Sequence, residues 1–164
     1  ECLVGSEMCI RDRCRDGDAW CRVAEYYHSG RATGVQLTDE EYYAHLCELA
    51  GDRPIAALII DPSAASFAET VLRHGRYPVL KADNDVAAGI HRVSRALQQA
   101  QIKIAPGCKD ALREFSLYQW DNSLRRDAPK KENDHAMDDI RYFVSTVLNG
   151  EEPGGVCALA VERK

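Results

Sequence analysis

The sequence lacks several patterns that would assign a function class directly. No apolar run approaches the ~18 residues of a membrane-spanning helix, so no membrane partner is expected. No GxxxxGK[ST] motif occurs, which excludes a P-loop nucleotide site within this chain. No GxSxG frame surrounds a serine. The seven cysteines form no CxxC pair and no zinc-like spacing, so we expect reduced thiols.

Length and charge limit the number of domains and the classes of protein that remain. The 164 residues suffice for one domain with its own core. The net charge of −5 makes the chain mildly acidic, so bulk charge does not indicate a nucleic-acid binder. Any argument for DNA binding must therefore rest on local clusters of Lys and Arg.

The N-terminal segment has an unusual origin. Residues 3–13 read LVGSEMCIRDR, which is the translation of a common transposase sequencing adapter. We therefore expect residues 1–13 to be an adapter-derived artefact and exclude them from fold reasoning. On this interpretation the natural protein is longer, and its own N-terminal residues are absent. The alternative is a genuine, disordered N-terminal arm.

Strand-like and helix-like segments alternate along the rest of the chain. Residues 20–27 are rich in strand-forming side chains. Thr38 and Glu41 have the spacing of a capping box and open a helix that Gly51 ends. Residues 55–61 form a continuous apolar run that ends in an acid, which is typical of a strand buried on both faces. The pattern predicts an α/β fold with a sheet covered on both faces.

Asp61 follows that apolar run directly. In open α/β sheets, the carboxyl ends of the strands are where ligands bind. Asp61 also precedes Pro62 and Ser63 at a helix start, where an aspartate is a good N-cap. The local sequence leaves both roles open.

The second acidic feature is KENDHAMDDIRYF, residues 131–143. Acids in a first helical turn favour the helix dipole, which explains part of the cluster without a ligand. Either Asp138 or Asp139 can share a helix face with His135, because they lie three and four residues away. The two aspartates flank the apolar stripe at similar angles, so periodicity does not choose between them.

Two carboxylates from distant segments suit a hard divalent cation such as Mg²⁺ or Mn²⁺. Two-metal phosphodiester hydrolysis places its ions ~4 Å apart and usually needs a third carboxylate. No residue before Asp61 supplies one convincingly.

Five segments, taken together and in order, resemble the C-terminal nuclease domain of phage terminase large subunits. They are EYYHSGRATGVQLTDEEY, IIDPSAASF, KADNDVAAGI, CKDALREFSLYQWD and KENDHAMDDIRYF. The resemblance implies an RNase H-like α/β fold, with a central mixed sheet and helices on both faces. It assigns residues 14–150 to a partial nuclease domain and leaves residues 151–164 as a C-terminal tail.

The resemblance also implies a function. The family cleaves concatemeric double-stranded viral DNA during packaging, with Mg²⁺ or Mn²⁺ in a two-metal site. Asp61 matches its second metal-binding carboxylate. Asp138 matches the third, which decides against Asp139, and His135 matches a histidine near the metals.

One departure from the family pattern limits these expectations. The family's first strand, with its own aspartate, should precede Trp20, where the adapter-like segment stands. We therefore expect that strand to be missing and the fragment to be weakly active or inactive. The implied partners are double-stranded DNA, the packaging ATPase domain of the full-length chain, the portal and the small terminase subunit. The implied location is the cytoplasm of the bacterial host.

Lys81, Lys130 and Lys131 are the candidate DNA-binding residues, since phosphate contacts position a duplex without reading its sequence. Three alternatives stay open. The chain could be a stand-alone RNase H-like nuclease or resolvase with the same metal chemistry. It could be a catalytically silent module that binds DNA or docks on the motor. It could also be an α/β domain whose acids only cap helices.

Overall fold

The computed structural model describes residues 7–121, 129–130, 134–149 and 157–163. Helices and strands alternate through most of this part of the chain. The strands are β1 Glu7–Asp16, β2 Ala19–Ser29, β3 Ile55–Ile60, β4 Val79–Lys81, β5 Ile102–Ile104 and β6 Cys157–Arg163. The α-helices are α1 Gly30–Thr33, α2 Asp39–Ala50, α3 Ala65–His74, α4 Val86–Gln98, α5 Lys109–Leu117 and α6 His135–Phe143. A π-helical turn, Val144–Leu148, continues α6.

One mixed sheet organises the domain, with the strand order β4-β3-β6-β1-β2-β5. β1 and β2 form an antiparallel hairpin. β6 lies between β1 and β3, antiparallel to β1 and parallel to β3. β4 and β5 are short edge strands that each run parallel to their neighbour. The α/β class predicted from the sequence is confirmed.

Each face of the sheet carries its own hydrophobic core. On one face, α2 and α3 pack over the sheet through Tyr42, Leu46, Phe67 and Val71. On the other face, α4, α5, α6 and the π-turn pack over Trp20 and Ile59. Successive residues of β3 alternate between the two cores, with Leu58 and Ile60 in the first and Ile59 in the second. Among the described residues, no helix has the length and apolar character to cross a membrane.

The local signals near residue 38 are confirmed. The Thr38 hydroxyl accepts from the Glu41 amide, and the Glu41 carboxylate accepts from the Thr38 amide, which completes the capping box. Helix α2 then runs to Ala50, and Gly51 follows it with a positive φ of 56°. Such a φ is sterically accessible to glycine and costly for most other residues.

The structure differs from the expectation that residues 1–13 contribute nothing to the fold. Glu7–Asp16 forms β1, an inner strand that pairs with β2 and β6. Arg11, Asp12 and Arg13 are all buried there. Inner strands are usually apolar, because a buried charge needs a partner. The strand is therefore an integral but polar part of the sheet, and the expectation that the first strand is missing is wrong for this structure.

The structure also corrects the treatment of the C-terminal residues as a tail. Cys157–Arg163 forms β6 at the centre of the sheet, where the side chains of Ala158 and Leu159 are fully buried. A disulfide joins Cys157 to Cys14 on the neighbouring strand β1. The expectation that these two thiols are reduced is therefore wrong for this structure, because strand pairing brings them together.

Candidate functional site

Asp61 combines the two roles that the sequence left open. It lies directly after β3 and is the N-cap of a short 3₁₀ turn, Pro62–Ala64. Its Oδ1 accepts a hydrogen bond of 2.7 Å from the Ser63 amide. Its own amide donates to the Val161 carbonyl oxygen at 3.0 Å, which anchors it to β6. Its other carboxylate oxygen faces α6.

Tyr142 on α6 supplies the second contact to Asp61. The buried Tyr142 hydroxyl donates a hydrogen bond of 2.5 Å to Asp61 Oδ2. Asp138 lies one helical turn before Tyr142, and its Oδ1 accepts a hydrogen bond of 2.9 Å from Arg141 Nη2. Asp61 is therefore bonded to Tyr142, and Asp138 lies one turn away on the same face of α6.

The Tyr142 hydroxyl stays in its neutral form. Burial raises the pKa of Tyr142 above its ordinary value, and the hydrogen bond to Asp61 and the charge of Asp138 raise it further. The phenol is therefore a neutral, permanent hydrogen-bond donor at the pH of any ordinary assay.

Asp139 has a different environment, although it is adjacent in sequence. It is fully buried and forms ion pairs with Arg13 on β1 and Arg22 on β2. Burial alone would raise the pKa of Asp139, but the charges of Arg13 and Arg22 outweigh burial and hold it below its ordinary value. Through these ion pairs, Asp139 holds α6 against the sheet.

Two further contacts fix α6. The amide of Ala136, in its first turn, donates to the buried carboxylate of Glu114 on α5 at 2.5 Å. The Phe143 ring at its C-terminal end meets the Trp20 ring edge-on, with 5.2 Å between the ring centroids. The helix that carries Asp138 is thereby held at both ends.

His135 opens α6 and contacts the β1–β2 hairpin. Its Nε2 lies 2.6 Å from Glu7 Oε2, and its ring centroid lies 6.0 Å from that of Tyr27. These contacts point to a role in docking the start of α6. The predicted role of His135 near metal ions stays a prediction.

The predicted DNA-binding lysines fall into different surroundings. Lys81 is exposed at the end of β4, where its backbone pairs with Ile60, the residue before Asp61. Lys81 and Asp61 line one groove of about 400 Å³. Lys130 is exposed, and its amide donates to the Gln119 carbonyl oxygen at 3.0 Å. Lys131 lies outside the described residues.

Sequence reasoning missed Arg141 and Tyr142. Both lie in the quoted DDIRYF segment, three and four residues after Asp138, so both were candidates for contacts on its helix face. The prediction considered only acidic side chains and therefore left them out. Their spacing from Asp138 is visible in the sequence, but only the packing of α6 over the sheet brings Tyr142 to Asp61.

The carboxylates of Asp61 and Asp138 supply part of the ligand set that a hard cation requires. Carboxylate oxygens are the ligands that Mg²⁺ and Mn²⁺ prefer. Within the described residues, no group of three or more side chains is arranged as a metal site. Asp61 and Asp138 are two such donors, and each Asp61 oxygen accepts one hydrogen bond from the described residues, which leaves it a lone pair.

Comparison with known proteins gives one consistent result. No protein-family model matches the chain, and no curated protein matches it significantly. Among solved structures, it is similar to the large terminase from a thermophilic bacteriophage in complex with ADP, with 38% identity, a TM-score of 0.84 and coverage of 90% of this chain. A second structure of that terminase gives 38% identity, a TM-score of 0.83 and 88% coverage. The complex with ATP-gamma-S gives 38% identity, a TM-score of 0.82 and 87% coverage.

The chain spans only 37–38% of the length of these solved chains. The similarity therefore concerns one part of the longer proteins. With the six-stranded mixed sheet and its two helical faces, it confirms the expected RNase H-like α/β fold.

Proposed function

Because this chain belongs to the phage large terminase family, we propose that it is the nuclease domain of a terminase large subunit and cuts concatemeric double-stranded viral DNA during packaging. The observation that carries the proposal is the hydrogen bond from Tyr142 to Asp61, because Tyr142 and Asp138 share one face of α6. The two carboxylates come from a strand end and a late helix, and the Tyr142 bond joins those two elements. That arrangement suits phosphodiester chemistry better than two independent helix caps.

Asp61 and Asp138 would hold Mg²⁺ or Mn²⁺ together with oxygens of the substrate phosphate, since Mg²⁺ often takes only one or two protein carboxylates. When bound, such an ion would lower the pKa of a coordinated water and neutralise charge on the phosphate. The Ser63 amide and the Tyr142 hydroxyl orient Asp61. Arg141 orients Asp138.

Lys81 is the DNA contact that the geometry favours most. It is exposed and lines the same groove as Asp61, so a phosphate bound there would lie beside Asp61. Lys130 and Lys131 would extend the contact along the backbone. Such contacts strengthen binding without reading sequence and weaken as salt rises.

The surroundings of the intact protein are part of the same proposal. The packaging ATPase domain would lie in the remainder of the longer chain. The portal and the small terminase subunit would be partners in the cytoplasm of the bacterial host. A two-metal site would need a further carboxylate, so the chain as given is proposed to be weakly active or inactive.

Residues 1–13 remain assigned to a sequencing adapter as a proposal. Its support is the sequence LVGSEMCIRDR itself; within the structure, Arg13 pairs with Asp139 and Asp12 pairs with Arg53. Amplifying and sequencing the source DNA upstream of the Cys14 codon tests the assignment. Recovery of LVGSEMCIRDR from the source genome would overturn it.

The test of function compares Asp138→Asn with a matched control. Asp110→Asn is suitable, because Asp110 is also in a first helical turn with an arginine three residues later, but on α5. Mn²⁺ binding is measured by calorimetry, and duplex DNA binding by gel shift. We expect Asp138→Asn to lose Mn²⁺ binding and keep DNA binding, whereas Asp110→Asn changes neither.

Other outcomes identify the alternatives. A silent DNA-binding or motor-docking module would bind DNA equally well in all three proteins, with no change in Mn²⁺ binding. A domain whose acids only cap helices would bind no Mn²⁺ at all. Either result would overturn the nuclease proposal. A stand-alone RNase H-like nuclease or resolvase would respond to Asp138→Asn as a terminase nuclease does, and family membership favours the terminase.

A further inference from the structure

Among the residues that the structure describes, each oxygen of the Asp61 carboxylate has one donor, and the two donors come from different parts of the chain. The Ser63 amide, two residues away, binds Oδ1 at 2.7 Å. The Tyr142 hydroxyl, 81 residues away, binds Oδ2 at 2.5 Å. Two donors on two oxygens fix the plane of the carboxylate, while each oxygen keeps one lone pair.

The Tyr142 bond also fixes the position of a helix. Tyr142 and Asp138 are four residues apart on α6, so they lie on one face of it. A bond from Tyr142 to Asp61 therefore determines how far the Asp138 face stands from the end of β3. The Ser63 bond is local and has no such effect.

Tyr142 is itself enclosed by protein. Its side chain is buried, and the Arg141 guanidinium lies over its ring at 4.7 Å from the centroid. The helix is fastened to the sheet through Asp139, which binds Arg13 and Arg22. A rigid donor of this kind can orient a carboxylate without reorganising when a ligand arrives.

From this geometry we propose that Tyr142 is a positioning residue, whose hydroxyl aligns Asp61 with Asp138 so that the two carboxylates can share one divalent cation. The proposal rests on the proposed function, because it gives Asp61 and Asp138 that cation. Tyr142 acts through Asp61 and does not touch the reacting atoms. Partners that hold a metal-binding side chain commonly contribute 10- to 100-fold to metal affinity.

The test is Tyr142→Phe, which removes the hydroxyl and keeps the ring. Tyr77→Phe is the matched control, because Tyr77 is also buried and its hydroxyl contacts the Cys47 sulfur in the other core. Mn²⁺ affinity is measured by calorimetry, and the free energy of unfolding by urea titration. We expect Tyr142→Phe to weaken Mn²⁺ binding roughly 10- to 100-fold, and Tyr77→Phe to leave it unchanged.

A merely structural role gives a different result. Tyr142→Phe would then lower the free energy of unfolding and leave Mn²⁺ affinity at the wild-type value, which would overturn the inference alone. If wild-type protein binds no Mn²⁺, the proposed function fails as well. The two failures are therefore distinguishable.

A second measurement needs no variant and covers the case in which Tyr142→Phe does not fold. Crystals of the wild-type chain are soaked in Mn²⁺. We expect the ion on Asp61 and Asp138, with the Tyr142 hydroxyl still bonded to Asp61 Oδ2. An ion that displaces the hydroxyl from Asp61, or that binds elsewhere, would overturn the inference.

Discussion

Gly89 on α4 lies directly against the side chain of Arg141 on α6. A Cβ atom added to Gly89 would stand 2.4 Å from Arg141 Cγ and 2.6 Å from Arg141 Cδ. Atoms at such distances overlap, so only glycine lets the two helices pack around this arginine. The same arginine reaches Asp138 at its other end, which links the packing of α4 to the candidate site.

Gly89→Ala should therefore destabilise the protein by about 1–3 kcal/mol through overpacking. The informative control is the same substitution in an Arg141→Ala background. With the long side chain removed, alanine should be neutral or stabilise α4 by up to ~1 kcal/mol through its helix propensity. Urea denaturation measures both values. Equal destabilisation in the two backgrounds would contradict the explanation.

Asp139→Asn should be far more harmful to stability than Asp138→Asn. It leaves Arg13 and Arg22 buried without their carboxylate, and loss of one partner from a buried ion pair typically costs about 3–5 kcal/mol. Asp110→Asn, at an exposed carboxylate, should change the free energy of unfolding by less than ~0.5 kcal/mol. A small effect at Asp139 would show that α6 is fastened by other contacts.

The stability of Asp12→Asn relative to wild type should rise as the pH increases from the ordinary carboxyl pKa of 3.8 through the raised pKa of the folded state. Burial raises the pKa of Asp12 above that ordinary value, and the charges of Arg53 and Arg13 offset burial only in part. A carboxyl with a raised pKa in the folded state contributes stability fully below its unfolded pKa and loses it as the pH rises through the folded pKa. Asparagine does not titrate. Unfolding free energies of both proteins across a pH series measure the difference.

The Asp139 carboxyl provides an internal contrast, because its pKa is shifted downward. Its contribution to stability is present above the unfolded pKa and is lost as the pH falls through the folded pKa. The difference in unfolding free energy between wild type and Asp139→Asn should therefore shrink in acid. The difference at Asp12 also shrinks in acid, but there the variant gains stability relative to wild type as the pH rises, whereas Asp139→Asn loses it. If the difference in unfolding free energy at either position did not change with pH, the direction of the pKa shift given for that carboxyl would be wrong.

Thr38→Ala should lower the free energy of unfolding by about 1 kcal/mol, because it removes the hydroxyl that caps α2. Thr38→Ser keeps that hydroxyl and should stay close to wild type. Urea denaturation of the two variants provides the measurement. Equal stability of the alanine and serine variants would show that the capping hydrogen bond contributes nothing.

Local sequence predicted much of the fold because the relevant interactions are local. The capping residue Thr38 and the stop at Gly51 lie within one helix, and the apolar run before Asp61 needs no distant partner to be recognised as a strand. β6 escaped prediction because CALAVER is short and carries no turn signal of its own. Its place is decided by pairing with β1 and β3, which are far away in sequence.

The candidate site shows the same difference between local features, which the sequence predicts, and long-range packing, which it does not. Sequence by itself determined that an aspartate directly follows β3 and that two adjacent aspartates lie in the first half of α6. It left Asp138 and Asp139 equivalent, because a helix places them at similar angles beside its apolar stripe. Tertiary structure separated them: the arginines of β1 and β2 neutralise Asp139 inside the protein, while Asp138 pairs with Arg141 one turn from the tyrosine that binds Asp61. The physical reason is that helix periodicity sets which side chains share a face, whereas only packing sets what each face meets.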